Sequence, residues 1–196
     1  MINEYSDQYD PVIPRQLILA SGSPRRASLL RKAGFVSLQI MIPHAEEGDD
    51  PLENAMLKAS EIAGFYPEAI VIGADTVIRL GDRVIGKPKD LEDAKHILAA
   101  LSGRTHDVVT GVCVRCISND VLVRFEETTH VTFRVLSVPG IERYVKAVDV
   151  LDKAGAYAIQ EYGEELIETI DGSFTNVIGL PVERLSETLH YVLRMS

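Results

Sequence analysis

The chain contains no tryptophan and only two cysteines. Two thiols cannot build the multi-disulfide framework of a small secreted domain. No apolar run approaches the length that crosses a bilayer, so no membrane partner is expected. Cations are scarce as well: 20 Lys and Arg stand against 29 Asp and Glu, a formal net charge of −9. That balance argues against a basic face for nucleic acid. It leaves room for a small anionic ligand, because a few cations can be gathered in one cleft. Low-complexity segments and internal repeats are missing too. What is there is an ordinary globular composition, 46% hydrophobic over 196 residues, enough for one large domain or two small lobes. Residues 1–14 are polar and acidic, unlike a signal or transit peptide, and read as an extension before a single domain over 15–196. A cytoplasmic address is expected. The two cysteines, Cys113 and Cys116, lie three apart in a strand-like run, which sends them to opposite faces and argues against a redox or metal pair.

The most informative stretch is Ala20-Ser21-Gly22-Ser23-Pro24-Arg25-Arg26. Gln16–Ala20 before it is a short apolar run, long enough for a buried strand. Leu29, Leu30 and Ala33 after it fall at helical spacing, and Gly34 can end that helix. Ser23 suits the N-cap and Pro24 the first helical position. Strand, tight turn and helix start aim backbone N–H groups and a positive dipole end at one point, which suits phosphate. Arg25 and Arg26 add cations where the dipole alone would favour acids, which makes sense if an anion sits there.

Further along, Phe35–Ile42 predicts a strand, and His44–Asp50 is a dense acidic loop able to hold Mg²⁺ against a phosphate chain. A helix opens at Pro51, with Ala55, Leu57, Ile62 and Ala63 as its apolar stripe, Lys58 beside it snorkelling to water or reaching a phosphate, and Gly64 at its end. Ala69–Ala74 reads as a strand buried on both faces that ends in Asp75-Thr76. An Asp at the carboxyl end of such a strand sits where α/β proteins gather ligands. The run then continues as Val77–Leu80, and a hairpin turn at Gly81-Asp82 with Arg83–Ile85 returning leads to Gly86-Lys87-Pro88, a stiff loop that presents Lys87. Asp90 caps a helix through Leu101, with His96 off its buried face. Strands over Thr105–Ile117 and Val121–Leu136 carry His106 and His130 at polar positions of a half-exposed sheet. A helix over Val138–Ala147, the small-residue segment Asp152–Gln160, a strand over Leu166–Ile170 and a last helix with Leu185, Leu189 and Val192 inward complete the chain. Gln160 both donates and accepts, as a base-reading side chain must.

These motifs together resemble the Maf family of nucleoside triphosphate pyrophosphatases, relatives of the inosine triphosphate pyrophosphatases. The resemblance runs from about Leu17 to the C-terminus. It rests on Leu19–Arg26, Ile72–Val77, Gly86-Lys87-Pro88, Leu101-Ser102-Gly103 with His106, Thr110-Gly111-Val112, Asp152–Tyr157 and Asn176–Pro181. It implies an α/β fold of two lobes, a long mixed β-sheet flanked by helices with a central cleft, and a homodimer. It implies hydrolysis of a nucleoside triphosphate to the monophosphate and pyrophosphate with a divalent metal, Mg²⁺ or Mn²⁺. The Ser-Pro-Arg-Arg form, with Asp-Thr and a later Ile-Gln, resembles the branch acting on dTTP and UTP. Glu46-Glu47 stands where the family usually has Asp-Glu, and Ala158 and Glu161 stand where it tends to have Gly.

On this basis the expected catalytic residues are Asp75, Lys58 and Lys87. Ser21, Ser23, Arg25, Arg26, Thr76 and Gln160 are expected to bind substrate, with Arg25, Thr76 and Gln160 reading the base. Glu47, Glu46 and Asp75 are the expected metal ligands. Two rivals remain: a nucleotide-binding regulator that keeps these residues without turnover, and a housecleaning enzyme directed at inosine or xanthosine triphosphate that shares the fold and metal but uses a different base pocket.

Overall fold

The structure, a computed structural model, describes residues 15–195. The extension expected over 1–14 lies outside the described residues. Seven strands form one mixed sheet in the order β2-β1-β3-β5-β6-β7, with β4 added to β3. The strands are β1 (Leu17–Ala20), β2 (Leu38–Met41), β3 (Ile70–Leu80), β4 (Arg83–Ile85), β5 (Thr105–Cys116), β6 (Val121–Phe133) and β7 (Ile167–Asp171). The helices are α1 (Pro24–Lys32), α2 (Pro51–Phe65), α3 (Leu91–Leu101), α4 (Val138–Ala147), α5 (Gly163–Leu166), α6 (Phe174–Ile178) and α7 (Val182–Met195). A single 3₁₀ turn covers Ala154–Ala156.

Strand β1 alternates Leu17 and Leu19 with Ile18 and Ala20, and both faces are buried. On one face, Leu30 of α1 and Leu185 and Leu189 of α7 pack with Leu17, Leu19, Ile70 and Ile72. On the other, Ala55, Ala59 and Ile62 of α2 cover Ile18, Ala20 and Val71. A separate core forms around Ile78, Leu98, Val131, Phe133 and Tyr144, under α3 and α4. These cores define the two lobes, and β3 runs through both. Cys113 joins the α2 layer and Cys116 the α1–α7 layer, on opposite faces as their spacing predicts. Both thiols are free, and burial raises that of Cys113 to about 11.

Helix α2 is small-residue-rich where it meets the sheet, and two glycines let it lie unusually close. A Cβ at Gly73 of β3 would stand 2.1 Å from the Ala55 carbonyl oxygen. A Cβ at Gly111 of β5 would stand 2.3 Å from that of Pro51. Only glycine permits either approach.

Several local expectations change. Strand β2 spans Leu38–Met41 rather than Phe35–Ile42, because Phe35 is buried and its N–H closes the end of α1 on the Leu30 carbonyl. Strand β6 stops at Phe133 rather than Leu136, where Leu136 N–H turns to the Ser102 hydroxyl. Helix α2 continues past Gly64 to Phe65, and Leu57 is exposed rather than part of the apolar stripe. The apolar run and its continuation through Leu80 form one unbroken strand, β3, which places Asp75 and Thr76 mid-strand rather than at a strand end. The short helices α5 and α6 carry too little periodicity to be read from sequence.

Candidate active site

Strand β3 pairs with β1 through Gly73, and with β4 only from Ile78 onward. Between them the edge of β3 over residues 74–77 carries no strand partner. The site occupies that gap. Asp75 is thus mid-strand, yet it lies just beyond the carboxyl end of parallel strand β1 and lines the cleft. Strand alternation sends Asp75 to the α2 face and Thr76 to the α1 face. The open edge lets both line one cleft of about 580 Å³.

On the α2 face, Asp75 is buried and Lys58 is not snorkelling but buried with it. Lys58 Nζ lies 2.8 Å from Asp75 Oδ1 and 2.9 Å from Glu47 Oε1. Asn54, one helical turn before Lys58, donates from Nδ2 to Asp75 Oδ2 at 2.9 Å. On the α1 face, Arg26 donates from Nε to the Gly179 carbonyl at 2.8 Å, from Nη1 to Ser21 Oγ at 3.1 Å and from Nη2 to Thr76 Oγ1 at 2.9 Å. All three acceptors are neutral, and Arg26 has no ion pair among the described residues. Burial lowers the pKa of its guanidinium, and Asp75 partly offsets that.

Ser23 takes the N-cap position of α1, but its side chain makes no capping bond. Ser23 and the first turn of α1, Pro24 to Arg26, line the cleft. Arg25 crosses the cleft to Asp152 at 3.1 Å. Lys87 is exposed at the rim on its Gly-Lys-Pro loop, held by a bond from Gly155 N–H to the Gly86 carbonyl. Gln160 also lines the cleft, exposed and with no hydrogen bond among the described residues. The Thr76 hydroxyl is engaged with Arg26, Thr110 and the Gly179 carbonyl. Its contribution therefore runs through Arg26. Of the expected site residues, only Glu46 is outside the lining; it is exposed on the acidic loop.

Two lining or supporting residues were not anticipated. Lys153 is buried in the wall, bonded to Asp152 Oδ1 at 2.7 Å and to the Asp149 carbonyl. Asn54 is buried behind Asp75. Its helical spacing of four from Lys58 was the available signal. His106 also departs from expectation. It is fully buried rather than half-exposed, with Nε2 at 2.9 Å from the Tyr157 hydroxyl and its ring edge-on to Phe133. His130 is exposed and pairs with Asp107 at 2.7 Å.

The cleft thus carries five cations (Arg25, Arg26, Lys58, Lys87 and Lys153) against three carboxylates, Glu47, Asp75 and Asp152. In a chain of net charge −9 this is a local excess of positive charge. Glu47 and Asp75 both reach the Lys58 ammonium, which brings the two carboxylates close together. No three or more His, Cys, Asp or Glu cluster among the described residues. Two carboxylates fit Mg²⁺ or Mn²⁺ that takes its remaining ligands from phosphate and water.

Fold and site together define a two-lobed α/β protein with a cation-rich cleft that also carries paired carboxylates. A model of the Maf-like protein family matches residues 16–192, and the chain belongs to that family. The dTTP/UTP pyrophosphatase of Bacillus anthracis is 42% identical over 183 residues, covering 89% of this chain and 94% of that protein. The dTTP/UTP pyrophosphatase of Bacillus pumilus is 43% identical over 182 residues, covering 89% and 95%. Among solved structures, the Ham1 protein of Staphylococcus aureus shares the fold, with a TM-score of 0.55 at 17% identity over 90% of this chain and 98% of that one.

Proposed function

We propose that this protein hydrolyses dTTP and UTP to the nucleoside monophosphate and pyrophosphate, with Mg²⁺ or Mn²⁺. The observation that carries the reading is Arg26, a part-buried guanidinium held only by neutral oxygens beside a buried Asp–Lys pair. An arginine so held keeps its charge for an incoming anion. The names of relatives more than 40% identical over most of the chain supply the substrate.

In this reading Ser21, Ser23, Arg25, Arg26, Lys58 and Lys87 bind the triphosphate. Glu47 and Asp75 hold the metal, with Glu46 assigned to the same loop but to no direct contact. When bound, the metal neutralises phosphate charge and lowers the pKa of a coordinated water. Asp75 orients water in line with the α-phosphorus and accepts its proton. The new bond joins that oxygen to the α-phosphorus; the bond from the α-phosphorus to the α,β-bridging oxygen breaks, and pyrophosphate leaves with the electron pair. Gln160 and Arg25 read the base. The protein acts as a single domain over 15–196 after an N-terminal extension, as a cytoplasmic homodimer without nucleic-acid or membrane partners; its net charge of −9 supports the last point.

The test is pyrophosphate release from a panel of canonical and modified nucleoside triphosphates, with Mg²⁺, Mn²⁺ or EDTA. Metal-dependent release fastest with dTTP or UTP is expected. Fastest release from inosine triphosphate would keep the chemistry and overturn the base assignment. Binding without release would make the protein a regulator.

A further inference from the structure

We infer that Asn54 is a positioning residue that locks Asp75 and Glu47 into one geometry for a divalent cation. The inference rests on the reading of those two carboxylates as metal-holding groups.

The argument starts from hydrogen-bond capacity. A side-chain amide offers two N–H donors and one acceptor oxygen. Asn54 is 2% exposed and uses both ends. Its Nδ2 donates to Asp75 Oδ2 at 2.9 Å and to the Gly48 carbonyl at 2.8 Å. Its Oδ1 accepts from Gly48 N–H at 2.8 Å. The amide orientation is fixed by these partners, since the flipped form would turn oxygen toward a carboxylate and a carbonyl.

Gly48 directly follows Glu47, whose carboxylate meets Lys58, which meets the other oxygen of Asp75. The contacts close a ring: Asp75, Lys58, Glu47, Gly48, Asn54 and back to Asp75. Lys58 holds Oδ1 and Asn54 holds Oδ2, so rotation of the Asp75 carboxylate is blocked at both oxygens. Asn54 and Lys58 lie four apart on α2 and share a face. The close approach at Gly73 and Gly111 brings that face down on β3. Glu47, by contrast, lies on an irregular loop and is half exposed. The pair of hydrogen bonds between Asn54 and Gly48 turns that loop residue into a fixed partner for Asp75. No charged residue could replace the amide: Asp at this position would have no proton for Asp75 or for the Gly48 carbonyl, and Lys would have no acceptor for the Gly48 N–H.

Mn²⁺ binding, read by electron paramagnetic resonance with a non-hydrolysable α,β-methylene analogue of dTTP, tests this without turnover. Wild type is compared with Asn54→Leu; Asn54→Ala, which adds no bulk, is read if the leucine variant does not fold. A folded variant should bind Mn²⁺ at least about tenfold more weakly. Its kcat for dTTP should fall by about the same factor, with KM changed less than about threefold. A purely structural asparagine would lower the melting temperature and leave the Mn²⁺ signal and the kcat-to-KM split unmoved. Unchanged Mn²⁺ binding in a folded variant, with an active wild type, overturns the role of Asn54 alone. A wild type that binds Mn²⁺ with the analogue but releases no pyrophosphate overturns the proposed activity and leaves Asn54 to be judged by its Mn²⁺ result. A wild type that binds no Mn²⁺ overturns both.

Discussion

Arg26 and Thr76 meet across the floor of the cleft, guanidinium to hydroxyl at 2.9 Å, and Thr76 is itself buttressed by Thr110 at 2.9 Å. The pair joins α1 to β3 at the point where β1 has ended. Thr76 thereby fixes a cation without neutralising it.

Replacing Arg26 by Lys keeps the charge and loses the planar fork that serves Gly179, Ser21 and Thr76 together. KM for dTTP should rise at least about tenfold, in line with about 1.5–3 kcal/mol for a charged hydrogen bond. Steady-state kinetics at saturating metal measure it. An unchanged KM would take Arg26 out of substrate binding.

Asp75→Asn retains size and one acceptor for Lys58, but it loses the acceptor that Asn54 Nδ2 uses and cannot accept a proton. Nucleotide binding should persist while kcat falls at least about a hundredfold, the usual scale for loss of a general base. Calorimetric titration beside a pyrophosphate assay separates the two effects.

Gly111→Ala places a methyl carbon 2.3 Å from the Pro51 carbonyl oxygen. The helix must then lift from the sheet, at a cost of about 1–3 kcal/mol or more. A thermal melt should show a clear drop, and residual activity should fall further than stability explains, because α2 carries Asn54 and Lys58. An equally stable, fully active variant would mean that α2 adjusts without disturbing the site.

His106 sets a pH limit on stability. Burial pushes its imidazole down to about 4, while in the unfolded chain it titrates near its ordinary value of about 6.5. Between those values the unfolded chain binds more protons, so stability is intact above pH ~6.5 and falls as the pH drops toward 4. The full loss is on the order of 3 kcal/mol. Urea midpoints across that range should show the slope, and His106→Gln should lack this part of it. A variant with the same slope as wild type would assign the acid sensitivity to other groups.

Sequence reading located what depends on local pattern. The turn at Ser21–Arg26, its helix, and the importance of Asp75 follow from residue order and spacing, and the structure brings them to one cleft. The features it missed depend on partners far along the chain. That β3 runs through Asp75 is set by its antiparallel pairing to β5, residue against residue from Val71 to Arg79. Lys58 could be read as snorkelling or as turned inward, and its spacing does not decide, because its burial requires Gly73 and Gly111 on two other strands. Asn54 looked like any polar residue on a first helical turn, since its three bonds reach a loop and a strand. His106 read as a half-exposed strand residue because the ring of Tyr157 that covers it comes from 51 positions away.

The bond from Arg26 to the Gly179 carbonyl joins residues 153 positions apart. A ribosome must therefore have delivered nearly the whole chain before the Arg26 guanidinium finds its seat. Long-range contacts of this kind close late, after the local helices and hairpins. A half-made or C-terminally clipped molecule would lack Gly179, and with it the carbonyl that seats the arginine.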